Sequence, residues 1–186
     1  MFDIAIIGAG PTGASAALLA AKAGKKTLLI DSDQSITKRG LYKNYYGIEE
    51  ITGPELVETG IKQATHFGAE YIQGKVENIA KADSGYRLEL ENEQFEAQHV
   101  IFATGLMVDL AEKAGLHTKP GTEPRVKTII DVDRDGRTSL EGIWAAGAVA
   151  GCSLHAVITA GDGAKVAINI ISQLNGERYV DHDVLK

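Results

Sequence analysis

The sequence has a single cysteine, Cys152, among 186 residues. One cysteine excludes an internal disulfide, a CxxC redox pair and a zinc site built from cysteines. Basic clusters are also lacking: the longest are Lys25-Lys26 and Lys38-Arg39, and the formal net charge is −6. These features argue against a nucleic-acid partner and fit a reducing, cytoplasmic compartment.

Long hydrophobic runs are missing too, because no stretch of 18 apolar residues occurs, and a membrane-spanning segment is therefore not expected. The apolar stretch 4–23 differs from a secretory signal in having Asp3 and no basic residue before it, and three glycines within it. We interpret this stretch as part of the fold. The length predicts one domain, 1–186, with a core of its own.

The stretch 6–17 reads IIGAGPTGASAA and contains a GxGxxG pattern at Gly8, Gly10 and Gly13. An apolar run before it predicts a strand over 3–7, and the alanine-rich sequence after it predicts a helix over 11–23. In such a unit the glycines permit the turn, let the backbone approach a pyrophosphate, and let the helix pack on the strand. The helix N-terminus attracts phosphate without a lysine.

A second apolar run, 27–30, ends at Asp31, which lies 21 positions after Gly10. An acidic residue at this place accepts hydrogen bonds from the ribose hydroxyls of a bound dinucleotide. The alternative is a plain βαβ unit that binds nothing.

The middle of the chain predicts a helix over 53–67 and short strands at 69–72, 76–79, 86–90 and 94–97. The links between these strands are too tight for helical crossovers, so antiparallel pairing is expected. The uninterrupted run HVIFA at 99–103 predicts a parallel strand buried on both faces. A last strand over 142–146 and a helix over 155–174 follow. An NAD domain usually continues through repeated βα units, so this meander favours FAD.

Five stretches of the chain resemble the FAD domain of the thioredoxin reductase branch of the pyridine nucleotide-disulfide oxidoreductases. They are the glycine turn, KNYYGI, HVIFATG, DGRTSLEGIWAAGAV and HAVITAGDGAKVA. The resemblance implies an α/β, Rossmann-like FAD-binding domain with a central parallel sheet and a small antiparallel β-meander.

The resemblance also implies which residues bind FAD. They are Gly8, Gly10, Pro11, Thr12 and Gly13 at the pyrophosphate; Asp31 and Ser32 by the ribose; Val76 at the adenine; Ala103, Thr104 and Gly105 under the cofactor; Gly147 and Ala148 at the ribityl chain; and Asn44, His155, Ala156 and Val157 near the flavin. At the start of the last helix, backbone N–H groups would face the pyrimidine edge of the flavin and stabilise negative charge there.

Two departures from the family pattern stand out. Ala148 replaces an aspartate that bonds a ribityl hydroxyl, and the loss of one charged hydrogen bond, about 1.5–3 kcal/mol, predicts weaker FAD binding rather than none.

Only 37 residues, 106–142, occupy the place of the family's NADPH domain, which also carries the CxxC. A nucleotide domain of roughly 100 residues does not fit there. The chain therefore resembles the flavin half alone.

Several side chains have two interpretations. His155, where the family has glutamine, is either a flavin contact or a solvated residue at a helix start. Tyr45 or Tyr46 lies against the flavin ring or packs in the core. Cys152, the one catalytic candidate, is either a redox partner of the flavin or a buried structural thiol, and the second is favoured.

Two acidic clusters imitate metal sites. Asp131, Asp133 and Asp135 resemble a calcium loop, but Gly142 stands where the bidentate acid belongs, so a polar turn is predicted. The run 181–183 (DHD) reads as a solvated tail. No metal site is expected.

Three functions follow from these patterns. The first is a small FAD-dependent oxidoreductase with an external electron donor and acceptor, and the second is an accessory FAD-binding subunit whose partner supplies the nicotinamide domain. The third, an NAD-binding domain, is disfavoured by the meander. The substrate is not indicated, and the assembly states left open by the sequence include a homodimer.

Overall fold

The computed structural model describes residues 1–185. Its strands are β1 (Phe2–Ile7), β2 (Thr27–Asp31), β3 (Leu41–Tyr42), β4 (Ile51–Thr52), β5 (Glu70–Gln73), β6 (Asn78–Ala82), β7 (Gly85–Glu89), β8 (Gln94–Phe102), β9 (Thr118–Pro120), β10 (Thr128–Ile130) and β11 (Ile143–Ala145). Its helices are α1 (Pro11–Lys22), α2 (Gly53–His66), α3 (Asp109–Lys113) and α4 (Ala156–Asn175), with 3-10 turns at Ile36–Arg39 and Gly147–Ala150.

A mostly parallel sheet organises the chain. Its order is β5-β2-β1-β8-β7-β6, with β11 paired to β8 as well. The pairs β5–β2, β2–β1, β1–β8 and β8–β11 are parallel, and β8–β7–β6 is the antiparallel meander. The predicted fold class is confirmed.

Alternate residues of β1 enter two different cores, because successive side chains of a strand point to opposite faces. Ile4 and Ile6 pack with the alanines of α1 and the aliphatic residues of α4, whereas Ala5 and Ile7 pack on the other face of the sheet. Small residues let α1 and α4 approach closely: a Cβ on Gly163 would lie 2.0 Å from the carbonyl oxygen of Thr12. Within residues 1–185, every helix is too short or too polar to cross a membrane.

Strand β8 corrects one prediction, because the predicted strands 94–97 and 99–103 belong to a single strand, which ends at Phe102. Its first half pairs antiparallel with β7, and its second half lies parallel between β1 and β11. The sequence pattern changes within the strand because the first half has one exposed face and the second half is covered on both.

Strand β5 corrects another prediction. It pairs parallel with β2 instead of joining the meander, because α2 supplies the crossover between them. Val76 lies two residues before β6 and not within a meander strand, although its side chain is buried. The meander therefore has three strands, β6, β7 and β8.

The connection 106–142 folds into α3 and the β9–β10 hairpin. The acidic sequence in it forms the predicted polar turn. One oxygen of Asp133 accepts the N–H groups of Asp135 and Arg137, each at 2.9 Å, and Asp135 pairs with the Arg137 guanidinium at 2.8 Å. These carboxylates stabilise the turn itself.

A buried histidine predicts that the stability of the fold depends on pH. His99 in β8 accepts a hydrogen bond at Nδ1 from the indole N–H of Trp144 at 3.3 Å. Burial lowers the pKa of His99, with weaker opposition from Gly142, Asp3 and Glu141. The neutral ring is therefore the form that the fold favours.

We expect the free energy of unfolding to decline as pH falls below about 6.5, the ordinary histidine pKa, because the unfolded chain then binds a proton that the folded chain resists. Denaturant titrations between pH 7.5 and 5.5, followed by Trp144 fluorescence, measure the decline. His99→Gln, which does not titrate, should show a flatter profile. Equal slopes in the two proteins would contradict this role for His99.

Candidate functional site

The glycine turn joins β1 to α1 in a geometry that only small residues allow. Gly8 has φ +103°, and its N–H donates to the Ile30 carbonyl at 2.7 Å. A Cβ on Gly13 would lie 1.7 Å from the Gly8 carbonyl oxygen, so this glycine is required for the helix to pack on the turn. By contrast, Gly10 has φ −64°, and a Cβ there would meet only side-chain oxygens of Ser35 and Thr37.

The N-terminus of α1 is open. Gly10 is the N-cap, no side chain caps the helix, and its first turn has no acidic residue. The first intrahelical bond runs from the Ala14 N–H to the Gly10 carbonyl at 2.9 Å, so the N–H groups of Thr12 and Gly13 precede it and have no helical acceptor. Such groups, with the helix dipole, favour a phosphate.

Asp31 ends β2 beside this turn and is 3% exposed. Its Oδ1 accepts the Ala9 N–H at 3.1 Å, while its Oδ2 is buried and has no hydrogen-bond partner. A buried oxygen without a partner is costly in a folded protein. A hydroxyl of a bound ribose would supply the missing donor, so this site fits an adenosine dinucleotide.

The segment after β8 lies directly behind the turn. The Ala103 N–H donates to the Ile7 carbonyl at 2.9 Å, and a Cβ on Gly8 would be 2.4 Å from the Ala103 carbonyl oxygen. Thr104 donates its hydroxyl to the Met107 carbonyl at 2.6 Å, and Gly105 has φ +66°. Ala103–Gly105 thus stand beside the turn. Ser32 directly follows Asp31, and the side chain of Val76 is buried in the core on one face of the sheet.

An open cleft of about 430 Å³ brings three other predicted residues together. Asn44, His155 and Ala156 line it, and the Ser153 hydroxyl lies 2.9 Å from the His155 Nδ1. The other lining residues are Tyr42, Leu154 and the loop Glu123, Pro124 and Arg125. The loop was missed at the sequence level because no motif marks it. Val157 follows on the first turn of α4.

The two tyrosines of the KNYYGI stretch lie outside this cleft. Tyr46 is 91% exposed. Tyr45 lines a second cleft, of about 270 Å³, between α1 and α2, and burial raises its pKa. Tyr45 therefore lies beside these two helices, and neither tyrosine is among the residues that line the larger cleft.

The turn after β11 contains Gly147, Ala148 and Cys152. The Gly147 N–H donates to Asp162 Oδ2 at 2.7 Å, and the Cys152 N–H donates to the Gly147 carbonyl at 3.1 Å. Burial and the neighbouring Asp162 raise the pKa of Cys152 to about 11, so its thiol stays protonated at neutral pH. This environment favours the structural interpretation of Cys152.

The terminal acidic run pairs with a lysine. Lys22 in α1 contacts Asp181 at 3.0 Å and Asp183 at 2.6 Å. Among residues 1–185, no three His, Cys, Asp or Glu side chains are grouped so that they could hold a metal ion.

Comparisons with known proteins agree with this geometry. The family model described as pyridine nucleotide-disulphide oxidoreductase matches residues 3–168. The thioredoxin reductase of Peptoclostridium acidaminophilum is 36% identical over 115 residues, which cover 60% of this chain and 36% of that protein. The thioredoxin reductase of Aquifex aeolicus (strain VF5) is 34% identical over 112 residues, or 58% of this chain and 35% of that protein. The matches thus span about a third of the length of these curated relatives.

Two solved structures have the same fold. A thioredoxin reductase from Gloeobacter violaceus superimposes with a TM-score of 0.85 at 18% identity, covering 99% of each chain. A ferredoxin-flavin thioredoxin reductase from Clostridium acetobutylicum gives 0.75 at 22% identity, covering 94% of this chain and 98% of that one. The resemblance found in the five stretches is confirmed, and the chain belongs to the pyridine nucleotide-disulphide oxidoreductase family.

Proposed function

We propose that this chain binds FAD and acts as a small oxidoreductase that uses an external electron donor and acceptor. The observation that carries the proposal is the unpartnered Oδ2 of Asp31, buried beside the open N-terminus of α1. An acceptor for ribose and a set of N–H donors for pyrophosphate lie side by side, as an adenosine dinucleotide requires. The meander between β5 and β8 favours FAD over NAD.

The residues of the chain bind and orient the cofactor. Thr12 and Gly13 would donate N–H groups to the pyrophosphate, Asp31 would hold the ribose, and Ala156 and Val157 would direct the start of α4 at the flavin. When bound, FAD supplies the electron-transfer chemistry, and the protein positions it and excludes competing reactions. The cleft at Asn44 and His155 is open on one side, which would admit a redox partner from solvent.

The test is the visible absorption spectrum of the purified protein, with the released cofactor identified by chromatography. We expect FAD at close to one per chain when FAD is supplied. Anaerobic addition of NADH or NADPH then separates this proposal from the second candidate, an accessory subunit. A protein that binds FAD but is reduced by neither would favour the accessory role, which the short connection 106–142 supports. A colourless protein that does not bind FAD at high micromolar concentration would end the proposal.

We expect Ala148→Asp to tighten FAD binding about tenfold or more, because it restores a charged hydrogen bond to the ribityl chain. Titration of the apoprotein with FAD measures the change. Ala148 is 9% exposed, so an aspartate that finds no partner there would be costly and would weaken binding instead. Weaker binding would mean that another group holds the ribityl chain.

We expect the chain alone to show no disulfide reductase activity, because a dithiol relay needs two cysteines and Cys152 is held protonated. A thioredoxin or small-disulfide assay with NADPH checks this. Cys152→Ser should leave FAD binding unchanged, whereas loss of flavin reoxidation by thiol acceptors in that variant would favour the redox role of Cys152.

A further inference from the structure

A charged residue with no assigned role lies on α4. The side chain of Asp162 is only 9% exposed, and its carboxylate points away from solvent toward the turn that follows β11. Its two oxygens have different partners: Oδ2 accepts the Gly147 N–H at 2.7 Å, and Oδ1 contacts Lys165 Nζ at 2.5 Å.

The surroundings of this carboxylate favour its ionised form. Burial alone would raise the pKa of Asp162, but Lys165, the Gly147 N–H and the Cys152 thiol together outweigh burial and lower it. The Cys152 thiol and the Gly147 N–H lie at opposite ends of the turn 147–152. The carboxylate therefore binds the N–H at the start of that turn, and its charge lies beside the thiol at the other end.

The same turn is fixed against the start of α1. Gly147 has φ +76°, and a Cβ on it would lie 2.2 Å from the Thr12 hydroxyl oxygen. Gly163, the residue after Asp162, packs on the Thr12 carbonyl from α4. Thr12 is thus enclosed between the turn and α4, and Asp162 connects these two to each other.

We propose that Asp162 is a positioning residue for FAD, orienting the turn 147–152 toward the ribityl chain where Ala148 provides no carboxylate of its own. This inference rests on the proposed FAD function. Through the Gly147 N–H, Asp162 aligns three segments that would contact one cofactor: the start of α1 at the pyrophosphate, the turn at the ribityl chain, and the start of α4 at the flavin.

The test compares Asp162→Ala with Asp162→Asn in FAD titrations. Asp162→Ala removes the acceptor, and we expect roughly ten- to hundredfold weaker binding, as for the loss of one charged hydrogen bond. Asp162→Asn keeps an acceptor for the Gly147 N–H and should recover most of the affinity. Ile170→Val, a substitution in the buried face of α4, is the control for lost stability and should leave FAD affinity unchanged while lowering the free energy of unfolding.

A second readout needs no cofactor. Removing the carboxylate should lower the pKa of the Cys152 thiol. Iodoacetamide should therefore alkylate apo Asp162→Asn several times faster than the wild-type apoprotein at the same pH. The alkylation rate of Ile170→Val should equal that of wild type. Equal FAD affinity in wild type and Asp162→Ala, or equal loss in Asp162→Ala and Ile170→Val, would overturn the inference and leave the FAD function standing. A wild-type chain that fails to bind FAD would overturn both.

Discussion

Gly10→Val should give a folded protein that no longer binds FAD. The backbone of Gly10 is unstrained, and the nearest atom to an added Cβ is the Ser35 hydroxyl at 3.1 Å, which can rotate away. The added methyl groups would crowd the N-cap position of α1, where we propose that the pyrophosphate approaches the backbone. Losing the charged hydrogen bonds there predicts at least a roughly hundredfold drop in affinity.

Two other glycines serve as controls for this prediction. Gly13→Val should destabilise the protein itself, because its Cβ would collide with the Gly8 carbonyl oxygen. Gly161→Ala lies in open space within α4, so it should leave FAD binding unchanged and slightly raise stability, because alanine favours a helix interior more than glycine does. Circular dichroism and FAD titration separate folding from binding in each variant. Normal FAD binding by Gly10→Val would show that the phosphate lies elsewhere.

Asp31→Asn should weaken FAD binding by about ten- to hundredfold without lowering the stability of the apoprotein. The asparagine oxygen can still accept the Ala9 N–H, so the turn keeps its bond. The variant loses a buried negative charge but places an amide NH₂ at the buried position of Oδ2, so we expect little change in stability, while the ribose loses a charged acceptor. Affinity should therefore fall while the free energy of unfolding stays nearly constant.

Asp3→Asn is the matched control for Asp31→Asn. Asp3 also accepts a backbone N–H, from Lys26 at 2.8 Å, but it stands near the other end of β1, away from the glycine turn. FAD titration and denaturant unfolding of both variants give the comparison. If Asp31→Asn bound FAD as wild type does, its unpartnered oxygen would not be the ribose site.

The unit β1–turn–α1–β2 could be predicted from the sequence because its determinants are local. The strand, the glycine turn, the helix and Asp31 follow one another along the chain. The turn requires glycine, and the acidic residue stands at the end of the next strand, so each position can be recognised from its residue type. The course of β8 could not be predicted, since the polar residues around position 98 suggest a break, and only the pairing partners on both sides show continuity.

The bonds that organise the rest of the site connect distant positions. Asp162 reaches a backbone N–H 15 residues earlier, and a backbone donor leaves no pattern in the sequence. The loop 123–125 lies between β9 and β10, and it lines the cleft because these two strands pair as a hairpin. The strands are short and mixed in composition, so the sequence pattern does not predict this hairpin.

The connection 106–142 leaves β8 and returns to β11, and these two strands are bonded to each other from Val100–Ile143 to Phe102–Ala145. The entropy lost when such a loop closes grows only with the logarithm of its length, so a connection four times as long would cost roughly 1.2 kcal/mol more. The length of the segment inserted between these strands therefore has little effect on the free energy of folding of the sheet. A module inserted there could be gained, exchanged or removed without a large change in the stability of β1, the glycine turn and α1, which lie on the other side of β8. This connection is therefore a suitable place to insert a domain that donates electrons.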